Sequence, residues 1–167
     1  MMLSRQCLEY KNYDGSYSVR IPTSVLTKMH ECCVASFPYE TGGILIGSYS
    51  EDCSWANITQ ICGASKNSIR RRRSFVRLGQ DYLPILSNLW DKNQYYLGEW
   101  HFHPRSSAEP SVTDINTMMK LSHNRELHCP EPLLIVVGGE PQKWDLSVSV
   151  FSNQSKIVLS LFPPLEE

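Results

Sequence analysis

The chain reads as an α/β domain built on a single mixed β-sheet flanked by helices. Two observations predict this class. Segments of strand-like composition alternate with amphipathic segments of helical period, and no internal repeat or low-complexity linker interrupts them. The length of 167 residues falls in the single-domain range, where folding buries roughly 70% of the unfolded chain's surface. One domain over residues 1–167 is therefore expected.

The elements follow in order. Cys7 to Tyr10 and Tyr17 to Ile21 form a hairpin across the turn-forming pair Asp14-Gly15. Pro22 and Thr23 introduce a helix with Val25, Leu26, Met29 and Cys33 on one face. An apolar strand over Ile44 to Ile46 follows Glu40, and Trp55 to Ala64 is its partner strand. Asp81 to Trp90 is a second helix, carrying Leu83, Leu86, Leu89 and Trp90. Tyr95 to Phe102 is an aromatic-rich strand closed by Pro104. After a loop with Pro104 and Pro110, a third helix opens at Ser111. Pro132 to Val137 is a buried-type strand ended by Gly138-Gly139, and Asp145 to Phe151 and Lys156 to Phe162 close the sheet.

Composition excludes several classes. A hydrophobic content of 41% and a formal net charge of −1 argue against disorder and against bulk attraction to nucleic acid or membrane. The first residues, Met-Met-Leu-Ser-Arg-Gln-Cys-Leu-Glu, contain no apolar secretory core, and no apolar run reaches the length of a membrane span. A cytoplasmic protein is expected. The six cysteines lack Cys-x2-Cys spacing and read as reduced, mostly buried thiols. Cys129 near His123 and His128 could form a second metal site, but a coincidence of the loop is the preferred reading. His-Glu-x-x-His and the deaminase signature are absent. Arg70 to Arg73, with Arg77 beyond, reads as a solvated loop or edge, or more sharply as a docking surface for an acidic partner or nucleic acid.

Chemistry concentrates in Gly-Glu99-Trp-His101-Phe-His103-Pro-Arg-Ser-Ser-Ala-Glu-Pro-Ser111-Val-Thr-Asp114. Structural zinc sites usually close with four protein ligands, whereas catalytic ones keep three and an open position. His101, His103 and Asp114 supply three. Residues i and i+2 of a strand share a face, so the imidazoles point together while Trp100 and Phe102 face packing. Asp114 lies in the first turn of its helix, where the dipole favours a carboxylate. Alone, Ser111-x-x-Asp114 is a capping box and His-x-His a surface pair. Together in one strand-loop-helix unit they outweigh those readings.

The pattern His101-x-His103-x7-Ser111-x2-Asp114, with Glu40-Thr-Gly-Gly43-Ile-Leu45-Ile-Gly47 upstream, resembles that of the JAMM metallopeptidases, also called MPN-plus or Mov34 domains. The resemblance spans most of the chain in element order. It implies an MPN (JAMM) domain of cytidine-deaminase-like architecture, one catalytic zinc, and hydrolysis of isopeptide or peptide bonds that releases ubiquitin or ubiquitin-like proteins.

The roles have a chemical basis beside that resemblance. Zinc on two histidines and an aspartate lowers its water's pKa from about 15.7 to about 7. A general base contributes roughly 10²–10⁴-fold, and Glu40 is the candidate. Glu99 competes for that role because it shares strand parity with the histidines; support of a ligand, or a solvated edge position, is the reading weighted above it. The Ser111 hydroxyl can donate to the carbonyl oxygen as it becomes negative.

In its compact size the chain is similar to bacterial JAMM proteins encoded beside E1-like and E2-like enzymes, including those of CBASS antiphage operons. That implies a conjugated protein as substrate, either a ubiquitin-like modifier or a cGAS-like nucleotidyltransferase. The segment Leu121 to Pro132 is expected to close over the scissile peptide. A non-catalytic MPN interaction module and a RadC-type nucleic-acid-associated relative are the alternatives.

Overall fold

Alternating apolar residues draw eight segments of this chain into strands, and the strands close on themselves. The computed structural model describes residues 6–63 and 75–163. In chain order it contains β1 (Cys7–Lys11), β2 (Ser18–Pro22), α1 (Thr23–Ser36), β3 (Thr41–Tyr49), β4 (Trp55–Gly63) and α2 (Phe75–Trp90). These are followed by β5 (Tyr95–Pro104), α3 (Val112–Ser122), a short 3-10 turn at Arg125–Leu127, β6 (Leu133–Glu140), β7 (Lys143–Ser152) and β8 (Ser155–Phe162).

The architecture corrects the expected single sheet flanked by helices. The eight strands form a closed barrel in the order β1-β2-β4-β3-β5-β6-β7-β8. Closure depends on β8, whose first half pairs with β7 while Ser160 to Phe162 pair with Lys11 to Glu9 of β1. A twisted sheet that meets its own first strand removes two exposed edges at once. The pairing is mixed, with β2–β4 and β5–β6 parallel and the other contacts antiparallel. The second helix also starts earlier than Asp81, at Phe75, and Trp90 lies outside the core, edge-on to Tyr95 and His128. Arg70 to Arg73 lies outside the described residues.

Two apolar layers result. Every strand contributes to the barrel interior, which holds Val19, Ile21, Leu45, Trp100, Phe102, Ile135 and Val148 and receives Val25, Met29 and Cys33 from α1. The second layer lies on the outer face of β3, β5 and β6, where Ile44, Ile46, Leu134 and Val136 meet Tyr82 of α2 and Met118 and Leu121 of α3. Among the described residues, no helix is long and apolar enough to cross a membrane.

One irregularity in β5 sets the positions that matter later. Leu45 faces Gly98 but Ile46 faces Tyr96, so Leu97 is an extra residue in β5, a bulge. Leu97 joins the interior with Trp100 and Phe102, and beyond it Glu99, His101 and His103 occupy the outer face. Gly98 has φ +145°, and a Cβ there would overlap the backbone of Leu133 on β6. Both the backbone conformation and the space therefore require glycine.

Gly98→Ala should destabilise the fold by on the order of 2–4 kcal/mol, from backbone strain and overpacking combined. For a chain of this size that corresponds to a fall in melting temperature of roughly 2–4 °C per kcal/mol. Gly15 also has positive φ but nothing within 4 Å of its would-be Cβ, so Gly15→Ala should cost clearly less. Thermal unfolding of the two variants compares them directly.

Candidate metal centre

Strand register assembles the first part of the site. On the outer face of β5, His101 lies between Gly42 of β3 and Val136 of β6, and His103 lies beside Gly138 of β6. Thr41 pairs with Phe102, where the β3–β5 ladder ends, and Glu40 precedes it in the chain. Glu40 is exposed at the start of β3, and its carbonyl accepts from the Ser36 hydroxyl at 3.4 Å.

The second part arrives through the loop from Pro104 to Ser111. It is fastened to the barrel by Arg105 N–H donating to the Gly139 carbonyl at 2.8 Å and by Ser147 Oγ donating to the Ala108 carbonyl at 2.5 Å. Gly138 permits the crossing, because a Cβ there would meet the backbone of Ser106, Ser107 and Ala108. The loop delivers Ser111 as the N-cap of α3 in a reciprocal capping box. Asp114 N–H donates to Ser111 Oγ at 3.1 Å, while Ser111 N–H and Oγ–H both donate to Asp114 Oδ2 at 2.7 Å.

Asp114 joins the two parts. Its Oδ1 lies 2.9 Å from His101 Nδ1 and its Oδ2 lies 3.2 Å from His103 Nε2. Ligand atoms of His101, His103 and Asp114 all fall within 4.8 Å of one another. Behind them, Glu99 is 2% exposed and its Oε2 lies 3.1 Å from His101 Nε2. Burial opposes the charged form of His101, but its hydrogen bonds to Asp114 and Glu99 prevail and raise its pKa to about 9. Burial likewise pushes Asp114 up, yet bonds from His101, His103 and Ser111 hold it well below the carboxylate range. Burial raises Glu99, with His101 opposing. Two nitrogens and a carboxylate oxygen with a further buried carboxylate at hand form a donor set that suits zinc and leaves a coordination position for solvent or substrate.

The residues read from the sequence thus occupy one unit, with His101, His103, Asp114 and Ser111 in direct contact and Glu40 at the rim. Glu99 is withdrawn behind His101, away from the open side. The segment from Leu121 to Pro132 does not approach the site. His128 packs against Trp90 at 5.2 Å, and Glu131 accepts from Tyr17 Oη at 2.7 Å and Ser152 Oγ at 2.9 Å. These contacts lie where β5 and β6 begin, the opposite end of the barrel, because α3 carries the chain away from Ser111. His123, His128 and Cys129 form no metal-binding group among the described residues; Cys129 is buried 3.9 Å from the Tyr49 hydroxyl. The loop fasteners Gly138 and Ser147 escaped the sequence reading, since their partners are distant in the chain and no local signal marks them.

In protein stripped of metal by a chelator, the raised His101 pKa fixes a sign. Its stabilising contribution is fully present below the unfolded value of about 6.5 and is lost as pH rises through about 9. Asp114 acts oppositely, contributing above its unfolded value and losing that contribution as pH falls. Denaturant midpoints of stripped protein should therefore fall between neutral and alkaline pH, and His101→Asn should flatten that slope.

Comparisons with known proteins agree with this geometry. Residues 22–148 match the family of prokaryotic homologs of the JAB domain. The chain is 41% identical over 149 residues to a protein of Enterobacter hormaechei subsp. hoffmannii named CD-NTase/cGAS isopeptidase, covering 89% of this chain and 83% of that one. It is 31% identical over 128 residues to a probable metalloprotease of Sinorhizobium fredii, covering 74% and 77%. The solution structure of a protein from Desulfitobacterium hafniense shares the fold, with a TM-score of 0.58 at 18% identity over 81% of this chain and 85% of that one. The chain belongs to the prokaryotic JAB-domain family, within the JAMM group that its motif resembles.

Proposed function

We propose that this JAMM-type peptidase is a zinc-dependent isopeptidase that cuts the bond following the C-terminus of a conjugated protein. The observation that carries the reading is Asp114, whose two carboxylate oxygens each meet one of two parallel-facing imidazoles. The 41% identity to a CD-NTase/cGAS isopeptidase favours a cGAS-like nucleotidyltransferase as the conjugated protein, with a ubiquitin-like modifier as the other candidate. E1-like and E2-like enzymes would supply such a conjugate.

His101, His103 and Asp114 would hold the zinc, which supplies Lewis acidity to the scissile carbonyl and lowers the pKa of water to about 7. Glu40 takes the proton from the attacking water and returns it to the departing lysine amine, so the carboxylate ends as it began. Its place immediately before Thr41, the strand partner of Phe102, and its exposure support that role. Ser111 donates to the carbonyl oxygen as negative charge develops there. Its single hydroxyl proton lies on Asp114 Oδ2, so donation to substrate requires the hydroxyl to turn. Asp114 N–H can continue to bond Oγ as it does so. The exposed side chains of Tyr39 and Val112, next in sequence to Glu40 and Ser111, suit an extended peptide segment. A non-catalytic module is disfavoured by the complete donor set.

The test uses a purified nucleotidyltransferase conjugate and a ubiquitin-like conjugate in parallel. Cleavage should stop with a chelator and return with zinc. Glu40→Gln should abolish turnover while zinc remains bound. Ser111→Ala should lower kcat by about 10²–10³-fold and cost about 1 kcal/mol of stability through the lost cap. Intact cleavage by Glu40→Gln would remove Glu40 from the mechanism.

A further inference from the structure

We infer that Glu99 is a positioning residue for His101: its carboxylate engages Nε2 of the imidazole, leaving Nδ1 as the nitrogen that His101 offers to a metal ion. This rests on the metal-centre reading above and extends it to a group outside the three-ligand set.

The placement of Glu99 needs an explanation beyond folding. It is 2% exposed, and its strand neighbours on either side are Ile44 and Leu134, both apolar and buried. A carboxylate in such surroundings carries a desolvation cost that an apolar side chain of similar size would not. What it gains is the contact with His101 Nε2 at 3.1 Å. Residues i and i+2 on one strand face are near enough for the longer side chain to reach forward along the strand. The bulge at Leu97 brings Glu99 and His101 together onto the outer face that Tyr96 occupies.

The chemistry follows from imidazole having two nitrogens. A metal takes the lone pair of one, and the other then carries a proton that needs an acceptor. A carboxylate acceptor fixes tautomer and ring orientation and strengthens the ligand. In this site the nitrogens face different partners: Nε2 faces Glu99, while Nδ1 faces Asp114 Oδ1 at 2.9 Å. His103 is arranged the other way, with Nε2 towards Asp114. The two histidines therefore present unlike nitrogens to the same position.

The direct test loads the intact protein with NMR-active cadmium and reads metal–proton couplings in the histidine rings. Metal on Nδ1 couples through three bonds to Hε1 alone; metal on Nε2 couples to both Hε1 and Hδ2. The expected result is coupling to Hε1 only for His101 and to both protons for His103. Coupling to both ring protons of His101 overturns the inference while leaving the metal centre intact. Absence of coupling at both histidines overturns the metal centre together with the inference. Zinc affinity supplies a second reading, by competition with a chromogenic chelator. Glu99→Leu should weaken it by about 10–100-fold, and Glu99→Gln should recover part of the loss because its amide oxygen still accepts from Nε2–H. A Glu99→Leu protein that melts lower when metal-free but binds zinc unchanged would show a merely structural role and overturn the inference. The wild-type couplings decide the matter even where a variant does not fold.

Discussion

The phase of β5 governs the rest of the site. Side chains alternate along a strand, so a one-residue slip would turn Glu99, His101 and His103 into the barrel and push Trp100 and Phe102 outward. Trp100 and Phe102 are fully buried, and each side chain of this kind contributes roughly 1.5–3 kcal/mol when withdrawn from water. These two anchors hold the polar face in register against the cost of burying it. The bulge at Leu97 makes the arrangement compatible with the strand's earlier half, where Tyr96 faces the same outer layer as Glu99. Gly138 then makes room for the loop that brings Ser111 and Asp114 to the histidines. Chemistry in this protein is placed by packing on the opposite side of the same strand.

Electrostatic cost concentrates at that face. Asp114 and Glu99 are both withdrawn from water, and His101 stands between them. Buried charges are tolerated when hydrogen bonds satisfy them, and removing one partner leaves the other uncompensated. Asp114 is unusually well provided, since it accepts from Ser111 twice and sits in the first turn of α3, where the helix dipole favours an anion. Two carboxylates flanking one imidazole leave an excess of negative charge, which a divalent cation can neutralise. A metal ion would compete with the proton that Asp114 and Glu99 hold on His101, so its affinity would rise with pH through that titration. In the proposed role Ser111 would carry a tension of its own, because its one hydroxyl proton, given to Asp114 in this structure, would also have to serve the substrate carbonyl oxygen.

The sequence displayed this centre more clearly than the fold around it. His-x-His parity, the Ser111 capping box and the first-turn position of Asp114 are local rules, readable from spacing alone. The outward face of Glu99 was legible by the same parity, but its bond to one ring nitrogen was not. Barrel closure was not legible either. Alternation in β1 and β8 reports that one face of each is buried, and it is silent on which strand occupies the edge. That partnership spans nearly the whole chain, and the open-sheet reading failed there. The Leu121 to Pro132 segment was misplaced for a geometric reason. The helix Val112–Ser122 rises by about 1.5 Å per residue and carries the chain away from Ser111 before the segment begins.

Closure also limits how a substrate can be held. Strand β6 is paired on both sides along its length and β5 from Gly98 to Phe102, so an extended tail cannot add to either there as a new strand. At β3, pairing with β4 begins at Gly43 while pairing with β5 begins at Thr41. Among the described residues, the backbone of Thr41 and Gly42 thus faces its β4 side without a strand partner, directly beside His101. On the proposed function, recognition of a peptide would fall to the rim formed by the entry to β3 and the loop from Pro104 to Ser111. Arg105, Ser106, Ser107 and Glu109 of that loop are exposed, whereas Ala108 and the candidate ligands His101 and Asp114 are buried. Exposed side chains of the loop can therefore vary among relatives without disturbing the buried histidine–aspartate cluster.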